Sequence, residues 1–182
     1  DFNKAQSIVK QVEGGYSDDR EDTGNWVNVK NGKRFIGTNH GISAPILADY
    51  LGKLPTKDDM KNLSYKTALD IYKNEYWDKF NLSEYKDQSV ANIIYDGIVN
   101  QGQTAIRSIL RKVLNDNDIS ITNVNNPFNI KWINELNKLD QEKIFNDIKN
   151  LREKRYKSSK TFKIHGEGWL NRLRSIKYLN DK

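Results

Sequence analysis

Glu13 ends an apolar-patterned run and is followed at once by Gly14 and Gly15, and Asp18, Asp19, Glu21 and Asp22 crowd the next nine positions. One chemistry uses such a set. Cleaving a glycosidic bond takes a carboxylic acid that protonates the leaving oxygen and a second carboxylate that activates water or attacks the sugar. Glu13 suits the first role, because a partly shielded carboxyl at the negative end of a helix keeps its proton to higher pH than a surface glutamate. Gly14 and Gly15 add no side chains, so a bulky saccharide could approach the backbone there. Asp22 is the candidate for the second carboxylate, delivered by a turn, with Asp18, Asp19 and Glu21 as competitors. On local pattern alone, a Glu before Gly-Gly more often marks a plain helix end, and an Asp in a turn is commonly structural.

Other chemistries fit less well. The chain has no cysteine, which removes thiolate nucleophiles, thiolate zinc sites and disulfides and leaves the redox compartment open. A calcium loop begun at Asp19 would have Gly24 at its sixth position as required, but Lys30 where the bidentate glutamate belongs. His40 and His165, the two histidines, have no partner at ligand spacing. No cofactor is expected.

The elements that must position Glu13 and Asp22 are legible in the periodicity. Phe2, Ala5, Val9 and Val12 recur at helical spacing, so a first helix should stop at Gly14-Gly15 with Glu13 in its last turn. "WVNVKNGKRFIG" places Asn31-Gly32 between two β-prone runs and predicts a hairpin with a primed turn at 26–37. Ser43 and Pro45 open a helix through Tyr50 and Leu51 that Gly52 closes, and a short helix is expected near 57–62. Ser64 caps a longer helix carrying Ala68, Leu69, Tyr72, Tyr76 and Phe80.

From about Gln88 the pattern is almost wholly helical. Val90, Ile93, Ile94 and Ile98 form a wide apolar face, and Gly97 within it suggests close approach of another backbone. Ile106, Ile109, Leu110 and Val113 continue the pattern; residues 115–127 read as a polar loop ending in a helix-starting proline. Asp140 starts a helix through Ile144, Ile148 and Leu151, and "GWLNRLRSIKYL" is amphipathic. The expected fold is mainly α, a lysozyme-like helical bundle with one small hairpin. The chain is divided near residue 87 into parts that pack together, with a cleft between them.

"EGGYSDDREDTG", followed after an insertion by "IGTNHGIS", resembles the amino-terminal signature of glycoside hydrolase family 108, N-acetylmuramidases of phage and bacterial origin. "IYKNEYWDKF", "ANIIYDGIVNQGQTAIRSILRKVL" and "GWLNRL" resemble the rest of that family, including its carboxy-terminal predicted peptidoglycan-binding region. The resemblance implies a catalytic region at 1–87 and a wall-binding region at 88–182. It also implies that Glu13 is the general acid, that Asp22 orients or deprotonates the water, and that Thr38 helps to hold it. Two departures bear on the last two roles: Asp22-Thr23-Gly24-Asn25 stands where Asp-Pro-Gly-Gly is usual, and the "WVNVKNGKRF" hairpin is inserted before Gly37-Thr38.

Among the aromatics Trp26, Tyr76 and Trp77 fit core positions, while Tyr16 is the one expected to meet a sugar. Asp96 and Asn100, one helical turn apart, either reach the cleft or join helices; Asn100 is taken as a substrate contact.

The formal charge of +6 favours an anionic partner, but 22 of the 30 cations are lysines scattered singly and no Arg-rich or aromatic-basic motif speaks for nucleic acid. No stretch approaches the apolar length of a membrane span, and "DFNKAQSIVK" lacks the pattern of a signal peptide. The expected partner is bacterial peptidoglycan, met by a monomer at the wall, whether in the periplasm, outside the cell or after phage-type release from the cytoplasm. The alternatives are a lytic transglycosylase, in which the muramic C6 hydroxyl replaces water, and a module that binds wall without turnover.

Overall fold

A computed structural model of the chain describes residues 1–10 and 15–179. It is mainly helical: nine α-helices and one two-stranded antiparallel sheet occur among the described residues. The chain forms two compact units, one of residues 1–9 and 76–182 and the other of residues 10–75.

The larger unit is built around α5 (Gln88–Gln101), in which every residue from Ser89 to Ile98 is buried. A helix apolar on nearly all sides must be covered on all sides, and α6 (Gln103–Asp116), α8 (Gln141–Lys157) and α1 (Phe2–Lys10) supply that cover. The expected Ile106, Ile109, Leu110 and Val113 of α6 and Ile144 and Ile148 of α8 point into this core. Phe2, Trp77 and Tyr95 meet edge to face at centroid distances of 5.6–6.0 Å. Gly97 is needed for side chains rather than for another backbone, since a Cβ there would lie 2.5 Å from the Cδ1 of Ile106 and 3.2 Å from the Nε of Arg152.

A loop stands near the expected 115–127 but runs over 117–129, since α6 holds residues 115 and 116 and the next helix begins only at Ile130. Asn129 caps α7 (Ile130–Leu136) by accepting from the Lys131 N–H at 3.0 Å, so a helix the periodicity did not announce is started by a side chain. The closing helix α9 runs over Phe162–Ser175 and starts earlier than its amphipathic stretch. Beyond it the Tyr178 hydroxyl donates to Asp87 at 3.0 Å, and the Leu179 N–H donates to the Ser89 hydroxyl at 2.9 Å. The Gln88 side chain donates to the Asp1 carbonyl at 3.0 Å, so both described ends of the chain are tied to the first turn of α5.

In the smaller unit β1 (Trp26–Val29) pairs with β2 (Gly32–Phe35) in the register Trp26↔Phe35 to Val29↔Gly32. The hairpin is where Asn31-Gly32 places it, but the turn differs by one position. Lys30 and Asn31 form its centre, neither has a positive φ, and Gly32 alone takes one at 127°. The turn is therefore not the primed type. Helix α2 (Ala44–Leu51) starts after Ser43 and ends at Gly52 in the left-handed conformation, as expected. Helix α3 (Lys57–Lys61) opens with a capping box between Thr56 and Asp59, whose carboxyl is held below the usual range by the Thr56 backbone and hydroxyl donors. Ser64 caps α4 (Tyr65–Ile71), but the predicted longer helix changes winding: residues 72–77 form a π-helical turn and 78–80 a 3₁₀ turn.

Candidate active site

Residues 16–38 of the smaller unit are laced around a buried polar residue, Asn25. Asp22 initiates the 3₁₀ turn Thr23–Asn25: its Oδ1 accepts from the Gly24 N–H at 2.8 Å, and its carbonyl accepts from the Asn25 N–H at 3.1 Å. The Asn25 carbonyl then accepts from both Ile36 and Gly37, at 2.8 and 3.1 Å, while its side-chain Nδ2 donates to the Asp19 carbonyl at 2.7 Å. Asp19 in turn accepts from the Glu21 N–H at 2.9 Å. The acidic stretch is thus two consecutive side-chain-to-backbone turns hooked onto the end of the hairpin, and both aspartates remain at the surface.

Tyr16 and Thr38 join this frame from opposite ends. Ser17 and Thr38 exchange backbone hydrogen bonds of 2.8 and 3.0 Å, and the Tyr16 hydroxyl donates to the Ile36 carbonyl at 3.2 Å. Between them Gly37 has φ of 99°, and a Cβ there would sit 2.7 Å from the Tyr16 ring and 2.8 Å from the Ser17 carbonyl oxygen. Only glycine meets both demands. The Lys61 ammonium lies over the outer face of the half-buried Tyr16 ring, 5.5 Å from its centroid.

Two oxygens in this frame are buried with no hydrogen-bond partner among the described residues: the Thr38 hydroxyl and the Asn25 Oδ1. An unmatched buried acceptor costs about 1–3 kcal/mol and is the exception in folded proteins. Three of the expected site residues, Tyr16, Asp22 and Thr38, are therefore held in one hydrogen-bonded framework. Glu13, the expected acid, lies outside the described residues.

Asn100 belongs to the larger unit. It is near the end of α5, where its Oδ1 accepts from the Tyr156 hydroxyl. Burial pushes that hydroxyl's pKa up, against the pull of the nearby Arg152 guanidinium. Asp96, one turn back, does not face solvent at all. Its carboxylate is fully buried between Arg152, whose Nη2 donates to Oδ2 at 2.6 Å, and Arg172, whose Nε donates to Oδ1 at 2.8 Å. Arg152 also donates to the Ile93 carbonyl at 2.9 Å and to Gln101 Oε1 at 2.7 Å. Of the two readings of Asp96, the helix-joining one holds. Its partners were invisible in sequence because 56 and 76 residues separate them from it. Asn25 was missed for another reason: a polar residue in a turn gives no periodic sign that it will be buried.

Among the described residues, no three metal-ligating side chains converge, and no helix is long and apolar enough to cross a membrane. The family model described as Glycosyl hydrolase 108 matches residues 6–102, more than half the chain. The chain belongs to glycosyl hydrolase family 108. Family 108 membership makes the protein a glycoside hydrolase of the lysozyme-like, peptidoglycan-cleaving kind. The matched span contains Glu13, Tyr16, Asp22, Thr38 and Asn100. No protein with a curated description matches the sequence. Among solved structures, one titled "Structure of Brucella abortus SagA" is 28% identical with a TM-score of 0.73, over 96% of this chain and 90% of that one.

Proposed function

We propose that this family 108 hydrolase is an N-acetylmuramidase, cutting the β-1,4 bond between N-acetylmuramic acid and N-acetylglucosamine in bacterial peptidoglycan with water and no cofactor. The observation that carries the reading is the family match over residues 6–102, which takes in every residue given a role. Glu13 protonates the leaving oxygen; Asp22 orients the attacking water through the carboxylate oxygen that does not cap Gly24; Thr38 helps to hold that water. An unmatched hydroxyl such as that of Thr38 suits a water or substrate contact better than a packing role. Tyr16 offers a ring edge to the sugar and Asn100 an amide. Residues 88–182 grip the wall while 1–87 carry the chemistry.

Digesting purified sacculi with wild type and with Glu13→Gln, then reading fragment masses, tests this. Wild type should release muramic reducing ends that incorporate labelled oxygen from water. Glu13→Gln should be slower by roughly 10²–10⁴-fold, the usual contribution of a positioned acid. Undiminished digestion by Glu13→Gln would remove the acid from position 13.

One observation favours transglycosylase chemistry instead: the Asp22 carboxylate already serves as a turn cap, which is all a structural residue there need do. In that case Asp22→Asn keeps its activity and the products carry 1,6-anhydro ends.

A further inference from the structure

In the larger unit, the ends of α5 and α8 and one face of α9 border an open pocket of about 390 Å³ lined by Asn100, Gln101, Arg155, Tyr156, Ser158, Ser159 and Trp169. Tyr156 and Trp169 stack at a centroid distance of 5.3 Å with 23° between ring planes, and His165 leans on Trp169 at 5.6 Å and 38°, which together give the pocket an aromatic wall. Three of its polar groups are unengaged donors, whereas the Ser158 hydroxyl already donates to the Arg155 carbonyl at 2.8 Å and the Gln101 Oε1 already accepts from Arg152. Tyr156 occupies the Asn100 Oδ1 and leaves the Nδ2 with no partner among the described residues. The Trp169 indole N–H and the Arg155 guanidinium likewise have none, and Arg155 is the sole charged residue in the lining. By contrast, the Arg152 guanidinium behind the wall is consumed by Asp96, Gln101 and the Ile93 carbonyl.

A flat apolar wall matches the CH-rich face of a pyranose, and unspent donors beside one guanidinium call for a ligand that brings acceptors and a negative charge. We propose that this pocket binds the carboxylate-bearing half of the glycan repeat, the ring stacking on Trp169 and the carboxylate meeting Arg155. The choice of ligand rests on the peptidoglycan reading. Within that polymer two sources carry the same group: the lactyl ether of muramic acid itself and the stem peptide that extends from it. A neutral N-acetylglucosamine offers the ring without the charge and leaves Arg155 unmatched.

The test titrates the full-length wild-type chain with small glycans and follows the Trp169 indole N–H by NMR, assigned with Trp169→Phe. The disaccharide N-acetylglucosaminyl-N-acetylmuramic acid, the same disaccharide bearing a stem peptide, and neutral di-N-acetylchitobiose are compared. None contains the bond the enzyme is proposed to cut, so binding here is read independently of whether Glu13 is the acid. The acidic disaccharide should shift the Trp169 signal at lower concentration than chitobiose does. Arg155→Gln should weaken acidic binding about tenfold at low salt, a usual effect of one charge-assisted contact, with Arg155→Lys in between. The same Arg155-dependent pattern with the peptide-bearing disaccharide alone also supports the site and assigns the carboxylate to the stem. Equal binding of chitobiose, an unmoved Trp169 signal, or an Arg155→Gln titration identical to wild type would each overturn the proposal.

Discussion

At position 37 any side chain meets two obstacles at once, a left-handed backbone and the Tyr16 ring at 2.7 Å. Gly37→Ala should therefore cost about 2 kcal/mol or more in chemical denaturation, and hydrolysis should fall with it, because Tyr16 and Thr38 both lose their seat. The Tyr85 hydroxyl gives the opposite prediction. It is buried, has no partner among the described residues, and burial raises its pKa. Tyr85→Phe removes an unmatched group without leaving a cavity and should stabilise the protein by about 1 kcal/mol. Tyr85 and Tyr156 both ionise later in the fold than in the unfolded chain, where a tyrosine titrates near pH 10. The stability this confers is intact below about pH 10 and is lost as pH rises through the folded values. Thermal melts at increasing alkalinity should show that loss in wild type and less of it in Tyr85→Phe. Residue types and motif order were enough to nominate Tyr16, Asp22 and Thr38. They could not reveal that Asp22 would cap the Thr23–Asn25 turn with one oxygen, or that Asn25 would tie that turn to the hairpin, because both depend on a backbone path that only the fold supplies.

The helices of the larger unit are joined through Asp96 as well as through apolar packing. Removing one member of a buried ion pair leaves the other charged and unmatched, so Asp96→Asn should lower the unfolding free energy by about 3–5 kcal/mol. Urea denaturation with unchanged slope would show it, and Asn100→Ala, which spares the pair, should cost far less. Elements with a local signal were legible: Ser64 and Asp140 accept from the third residue ahead and fix where α4 and α8 begin, while Asp87 does the same for α5, whose start was read from its apolar pattern instead. The hairpin was legible for the same reason, although its turn residues shifted by one. The π-helical turn at 72–77 was not, since its sequence keeps ordinary helical spacing and its winding has no marker of its own. The start of α7 lies three residues past Pro127, which carries the stronger helix-start signal, because Asn129 is the residue whose side chain caps the helix.

On the scale of the whole molecule, the net charge of +6 favours retention on an acidic wall polymer, so sacculus digestion should slow between low and physiological ionic strength. Release of labelled wall fragments across a salt series measures this, and a flat profile would deny the charge any part. The mainly helical fold was readable from periodicity, and lysozyme-like function from ordered motifs. The grouping of residues 1–9 with 76–182 was not, because it requires α1 to pack beside helices that follow it by more than seventy positions. The fastening of Asp1, Tyr178 and Leu179 to Asp87, Gln88 and Ser89 has a mechanical meaning. Tension applied between the two ends would load that single helical turn and bypass the rest, so the larger unit would stay slack until those few bonds tear.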